Sequence, residues 1–274
     1  MYTEYQPSHL LVPYIDNYWE FKGNPDYGMR IHILPDGCTD FIFTLGEVAN
    51  AVEEVSLMMQ PYRSYFVGPM TKYSELVTYT ESIHMFGVRF LPCGLSCFTN
   101  LPLHEFVNSR VSTNEMKAVF DDTFIERLGE QKHVADRIRV VEEYLLAYLA
   151  RHYQPADSHV AMAVNMINHS EGKRSVRSLM DDVCLCQRHF ERKFKHYTGF
   201  TPKEYSRIVK FKNAVELLRT TTSANLLTTA VDAGYYDLAH FSKEIKSMSG
   251  NTPASFLSLT VPEETTLTYI EPQR

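Results

Sequence analysis

Arg188, Arg192 and Lys195 follow one another at intervals of four and three, with Glu191 beside them. Residues so spaced share one side of a helix. Guanidinium groups held together can pair bidentately with O6 and N7 of guanine, and ammonium groups can neutralise phosphate. Further along, His240, Lys243 and Lys246 follow at intervals of three and three, again on one side of a helix. With Phe190 set on Phe241, an offset of 51 residues, Arg192 falls on Lys243, Phe194 on Ile245 and Lys195 on Lys246. Gly199 falls on Gly250, Pro202 on Pro253 and Tyr205 on Phe256. The plain reading of either copy alone is an amphipathic helix with solvated charges. Duplication with matched glycine, proline, aromatic and basic positions argues instead for two copies of one supersecondary unit.

Each copy has the grammar of a helix-turn-helix: a short apolar-periodic helix, a tight turn, then a second helix. Gly234 supplies a turn residue free to take positive φ. Asp237 is a good N-cap for the helix that follows. Leu238, Phe241 and Ile245 form its inner stripe, leaving Asp237, His240, Lys243 and Glu244 outside. In the first copy Phe190 and Phe194 are the inner seam. Arg188, Glu191, Arg192 and Lys195 lie opposite.

These residues carry a resemblance. Phe190-x-Arg192-x-Phe194-Lys195 is followed by Gly199-Phe200-Thr201-Pro202-Lys203-Glu204-Tyr205. A bridge, Lys210-x-x-Asn213-Ala214-x-x-Leu217-Leu218, precedes Ala233-Gly234-Tyr235, and Gly250-Asn251-Thr252-Pro253 closes the stretch. In order and spacing this resembles the DNA-binding domain of AraC/XylS-type bacterial transcription regulators. The resemblance implies two helix-turn-helix units on one long helix, reading successive major-groove segments of duplex DNA. Base-facing residues would be Arg188, Glu191, Arg192, Leu238, His240 and Lys243. Gln187, Lys195, Asp237 and Lys246, with the helix N-terminal amides, would hold phosphates. Cys184 and Cys186 depart from the family's small or turn residue and Ser cap, Lys243 from its Arg, and Ile245 from its Phe. The missing cap bears on the stiffness of the first reading helix.

Net charge is −6 over 274 residues, which at first argues against a polyanionic partner. Its distribution reverses the argument. Residues 170–258 hold 14 Lys and Arg against 9 Asp and Glu, a net of +5, which leaves −11 for the rest. The asymmetry predicts attraction between the two parts or a modest non-specific affinity for DNA. Five cysteines, an odd number, read as reduced thiols rather than a disulfide framework. No apolar run approaches 18 residues and no secretory signal opens the chain, so the expected setting is cytoplasmic.

The elements before the repeat read as β. Strands are expected at 31–34, 39–45, 64–67, 75–80 and 83–90, with Gly/Pro punctuation between them, and short helical pieces at 95–98 and 103–107. Leu34-Pro35-Asp36-Gly37-Cys38-Thr39-Asp40, Val67-Gly68-Pro69 and Val88-Arg89-Phe90-Leu91-Pro92-Cys93-Gly94 resemble the cupin-like sensor domains of some regulators of this type. Residues 115–153 read as helical, with a stripe of Ile138, Val141, Leu145, Tyr148 and Leu149 that pairs either with its twin in a homodimer or with its own domain. The expected fold is therefore α+β and multidomain: a β-rich cupin-like barrel with flanking helices (1–112), a helical segment (113–155), an all-α double helix-turn-helix domain (156–260) and a loosely held tail (261–274).

Asp36, Tyr79 and Arg89 are the candidates for an effector pocket; the competing reading gives Asp36 to a turn and Arg89 to a surface pair. His32 and His84 lie in strands, but the His-x-His pair of metal cupins is missing. Neither Cys93/Cys97 nor Cys184/Cys186 has a matching half at zinc-site spacing. No metal or cofactor is expected. Phosphate loops, nucleophile elbows and zinc-protease motifs are lacking too, so the chain is not expected to be an enzyme. The expected function is a sequence-specific DNA-binding regulator controlled by an effector or by dimerisation, with RNA polymerase a further contact. The alternative is a cupin-like small-molecule enzyme with a helical appendage.

Overall fold

A computed structural model describes residues 2–51, 58–116, 119–120, 122–152, 154–183, 185–220, 226–257 and 268–270. Cys184, residues 258–260, and residues 261–267 and 271–274 of the expected tail lie outside the described residues. Two antiparallel sheets form the N-terminal part. The larger joins β1 (Tyr2–Tyr5), β2 (Ile15–Gly23), β4 (Thr39–Thr44), β6 (Ser64–Val67), β8 (Ile83–Phe90) and β9 (Arg110–Ser112) in the order β1-β2-β8-β4-β6-β9. The smaller joins β3 (Met29–Ile33), β5 (Asn50–Ala51), β7 (Ser74–Thr78) and β10 (Thr268–Ile270) in the order β10-β3-β7-β5. The sheets face each other over Trp19, Phe21, Ile31, Ile42, Leu76 and Met85. Glycine is required at position 87, where a Cβ would lie 1.9 Å from the Trp19 indole that crosses it.

Residues on the other side of the larger sheet, Tyr18, Phe41, Phe43, Phe86 and Val88, pack on α1 (Asp122–Gly129) and α2 (Val134–His152). Val141 and Leu145 are fully buried there, with Ile138, Tyr148 and Leu149 beside them. The apolar stripe is therefore spent on its own domain, and the twin-pairing alternative loses its surface. Arg137 anchors α2 to the sheet, donating to Glu20 Oε1 at 3.0 Å and to the Leu128 carbonyl at 3.3 Å. The tail is also more engaged than expected: Thr268–Ile270 pairs antiparallel with β3.

The C-terminal part is all-α. Helix α3 (Ser158–His169) leads into α4 (Val176–Val183) and α5 (Gln187–Thr198), the first helix-turn-helix. The long α6 (Pro202–Thr220) carries the chain to α7 (Leu226–Asp232) and α8 (Leu238–Ser249), the second, and α9 (Pro253–Leu257) closes it. At about 1.5 Å per residue α6 is about 28 Å long, comparable with the roughly 34 Å turn of a duplex. Its Phe211, Ala214, Val215 and Leu218 share a core with Phe190, Phe194, Phe241 and Ile245. Leu238 departs from the expected inner stripe: it is 37% exposed at the start of α8, beyond the reach of that core.

The two parts meet over a packed seam. Leu34 and Cys93 of the N-terminal part belong to the same buried cluster as the α6 side chains. Tyr205 of α6 fills the space over Gly37, where a Cβ would lie 2.7 Å from its ring, and donates to Asn168 Oδ1 at 2.9 Å. Lys212 on the same helix lies within electrostatic reach of Asp16.

Candidate nucleic-acid interface

The repeat extends to the hydrogen bonds. At the end of α5, Thr198 Oγ1 donates to the Phe194 carbonyl at 2.7 Å and accepts from Phe200 N at 3.2 Å. At the end of α8, Ser249 Oγ donates to the Ile245 carbonyl at 2.7 Å and accepts from Asn251 N at 3.1 Å. Gly199 and Gly250 follow with φ of 84° and 76° and donate back to Lys195 and Lys246 carbonyls, each at 2.9 Å. A left-handed C-cap of this kind ends a helix sharply and favours glycine. The buried hydroxyls at 198 and 249 are helix-end positions that the sequence patterns did not single out. Their signal was their shared offset of 51.

The starts of the helices differ. Asp237 Oδ1 accepts from His240 N at 2.7 Å and caps α8. Cys186 occupies the same place on α5 with suitable extended backbone, φ −68° and ψ 144°, but makes no side-chain cap. Helix α6 braces the second unit from behind. Arg207 pairs with Glu244 through two bonds of 3.0 and 2.9 Å, and Lys210 Nζ donates to the Gly234 carbonyl at 3.2 Å while sitting over the Tyr235 ring. Burial holds the Lys210 ammonium below its ordinary value, against the pull of Glu244.

The predicted outer residues fall as follows. Gln187, Arg188, Arg192 and Lys195 are exposed on α5, and Glu191 is half-buried. Gln187 Nε2 donates to Glu191 Oε1 at 2.9 Å, and Arg192 Nη2 lies 3.2 Å from His189 Nδ1. Asp237, Leu238, His240, Lys243 and Lys246 are exposed on α8. Each helix thus buries its aromatic or branched seam and turns its polar residues outward. Tyr236, in the turn before Asp237, is 93% exposed and was not foreseen, because an aromatic in a short turn has no periodicity to betray it.

The three effector candidates do not converge. Arg89 is 5% exposed and lies 3.2 Å from Asp40, 3.6 Å from Asp36 and 3.9 Å from Glu4. Burial works against its charge, but Asp40 and Asp36 outweigh it and keep it cationic. Burial also raises the Asp40 and Glu4 carboxyls, and Arg89 opposes this. Asp36 Oδ1 accepts from Cys38 N at 2.8 Å, the turn role, as well as joining this cluster. Tyr79 stands apart, 61% exposed and packed against Tyr27. Arg89 and Asp40 edge a small cavity between the sheets, ≈ 50 Å³, whose walls include Trp19, Ile31, Leu76, Met70 and Arg110. His84 bonds Glu20 at 3.0 Å and His32 stacks on Tyr73. Among the described residues no three His, Cys, Asp or Glu side chains form a group able to hold a metal ion.

Comparison with known proteins fits this geometry. Residues 179–258 match the family described as a helix-turn-helix domain, and residues 3–112 match a domain of unknown function, DUF6597. No curated protein matches the chain by sequence. Among solved structures, ToxT from Vibrio cholerae superposes with a TM-score of 0.51 at 9% identity, covering 88% of this chain and 97% of its own. The xylose-binding transcription activator XylR aligns at 24% identity over 39% of this chain and 28% of its own, TM-score 0.35. The C-terminal domain of AraT, a response regulator from Geobacillus stearothermophilus, aligns at 20% identity over 40% of this chain and 92% of its own, TM-score 0.36. No helix among the described residues is long and apolar enough to cross a membrane. Residues 179–258 thus belong to a helix-turn-helix domain family, and the chain shares with ToxT the fold of a β-rich domain followed by two helix-turn-helix units on one joining helix.

Proposed function

We propose that α5 and α8 are the reading helices and that each enters a major-groove segment on one face of a duplex. Arg188, Glu191 and Arg192 face bases in one segment; Leu238, His240 and Lys243 face them in the next. Gln187, Lys195 and Lys246 take phosphates. Asp237 acts on phosphate indirectly: its carboxylate is turned back onto the amides of its own helix, so it orders a helix end that attracts anions. The observation that carries this reading is the exposure of both outer faces above two helix ends of identical build.

The N-terminal domain is the regulatory part of this proposal, with the cavity beside Arg89 and Arg110 as the place for a small-molecule effector. A second copy of the chain and RNA polymerase are the remaining proposed partners, in a cytoplasmic setting. The boundaries 1–112, 113–155 and 156–260 describe these working parts, with the seam at Tyr205 holding the first to the third. Selection of preferred duplexes from a random pool tests the reading. The expected result is a bipartite sequence preference and binding that weakens steeply with salt. Binding indifferent to sequence and to salt would refute it.

A further inference from the structure

Both reading helices end against the same short segment of the N-terminal domain. A Cβ on Gly199, at the end of α5, would lie 2.5 Å from Pro69 Cγ. A Cβ on Gly250, at the end of α8, would lie 2.7 Å from Tyr73 Cζ, with Cε1 of the same ring at 2.9 Å and the Tyr73 hydroxyl oxygen at 3.0 Å next nearest. Pro69 and Tyr73 are four residues apart in the loop between β6 and β7. The two caps are 51 residues apart, on either side of α6.

That loop is held firmly. Gly68 N donates to the Ser109 carbonyl at 3.0 Å, and Asn108 N donates to the Pro69 carbonyl at 2.9 Å. Asn108 Oδ1 accepts from Thr71 N at 2.8 Å, and Asn108 Nδ2 donates to Thr71 Oγ1 at 2.8 Å. Asn108 has a left-handed φ of 56°, a conformation Asn tolerates better than most residues. Tyr73 is backed by the buried His32 ring on β3, stacked at 5.9 Å and 15°. A segment tied at its middle and backed at its end acts as a strut rather than a tether.

We infer that Pro69–Tyr73 is a two-point brace that fixes the spacing of the reading helices, with Tyr73 a positioning residue for DNA recognition. The two ends are not held alike. The first helix has other holds on the N-terminal domain, including His196 with Asn100 at 3.0 Å and the Leu103 carbonyl near Gly199. The second meets the Tyr73 ring. Losing that ring therefore loosens α8 relative to α5 and leaves the first unit seated. A duplex reads such an error sharply, because one base pair is about 3.4 Å of rise and about 35° of rotation.

The test uses the full chain with spin labels on Cys186, which is exposed at the start of α5, and on Ser247→Cys on α8, with Cys184→Ser to remove a second label site. Pulsed electron resonance reads the distance between them without DNA. Wild type and Tyr73→Phe give one narrow distance. Tyr73→Ala broadens it, and so does Asn108→Gly, which keeps the positive φ but frees Thr71. On DNA, inserting one base pair between the two contact segments weakens wild type and Tyr73→Phe about tenfold, and Tyr73→Ala by far less. Circular dichroism shows that each variant remains folded. A distance in Tyr73→Ala and Asn108→Gly as narrow as in wild type would overturn the brace, as would broadening in Tyr73→Phe.

Discussion

Two helices of one build with different caps set up a paired experiment. Asp237 Oδ1 accepts from the third amide of α8, His240 N, whereas on α5 the matching amide, His189 N, has no side-chain acceptor and turns to the Cys186 carbonyl at 3.0 Å. The backbone at 186 already has the extended conformation of a capping residue, and its carbonyl accepts from Phe190 N at 3.0 Å. Cys186→Ser therefore needs no rearrangement: its hydroxyl reaches the third amide of the helix and adds about 1 kcal/mol. For a chain of this size that is a rise in Tm of about 2–4 °C. Asp237→Ala loses a cap and lowers Tm by about as much. The two sites share no partner, so the double variant returns close to wild type. Hydrogen exchange localises the effects, with slower exchange at residues 187–190 in Cys186→Ser and faster exchange at 238–241 in Asp237→Ala. If Cys186→Ser leaves both Tm and exchange unchanged while Asp237→Ala destabilises, then the first helix is not under-capped and the reasoning from the paired geometry fails.

Arg192→Ala is expected to cost about 1–3 kcal/mol on the preferred duplex and to relax one base position, while Lys195→Ala weakens all duplexes alike and lowers the salt slope by about one; competition binding at several salt concentrations separates them. Arg137→Met strands the partly buried Glu20 beside His84 and should cost about 3 kcal/mol of stability in chemical denaturation, with the selected duplex sequence unchanged. Burial and the neighbouring His104 hold the His196 imidazole below its ordinary value, with Glu105 opposing, so the folded chain favours the neutral ring. The unfolded chain then takes up the proton first as pH falls. Stability from this site is full above about pH 6.5 and declines below it towards the lowered folded value, and His196→Gln should flatten that part of a Tm-against-pH curve.

Helices α5 and α8 were legible because their information is local. Phe190, Phe194, Phe241 and Ile245 repeat at helical spacing and are buried, and Gly199 and Gly250 mark ends that need positive φ. Five strands were legible for the same reason, and Ile83–Phe90 is the strand expected, residue for residue. The longest strand, β2, was missed because both its faces are covered. Tyr18 points to the helices and Trp19 between the sheets, and its polar Glu20 is claimed by Arg137 and His84. Alternation vanishes where neither side meets water. Arg89 was ambiguous because its partner is fixed by the pairing of β4 with β8, which sets Asp40 opposite it across 49 residues of chain. The brace at Pro69–Tyr73 was illegible, since a turn sequence says nothing of what docks on it.

The small size of the inner cavity bears on how an effector would act. At ≈ 50 Å³ it is far below the roughly 300–1,000 Å³ of ligand pockets, so binding must move a wall. Most of its lining comes from paired strands, where displacement would break ladder hydrogen bonds on both sides. Met70 is the exception: it lies in the loop between β6 and β7, at the centre of the brace. Thr71 beside it is held by Asn108 alone among the described hydrogen bonds. The cheapest wall to move is thus the one whose neighbours touch the ends of both α5 and α8. A ligand shifts an equilibrium only by its differential affinity for two states. Here the two states would be Met70 in and Met70 out, and their difference would be felt at Gly199 and Gly250 through Pro69 and Tyr73.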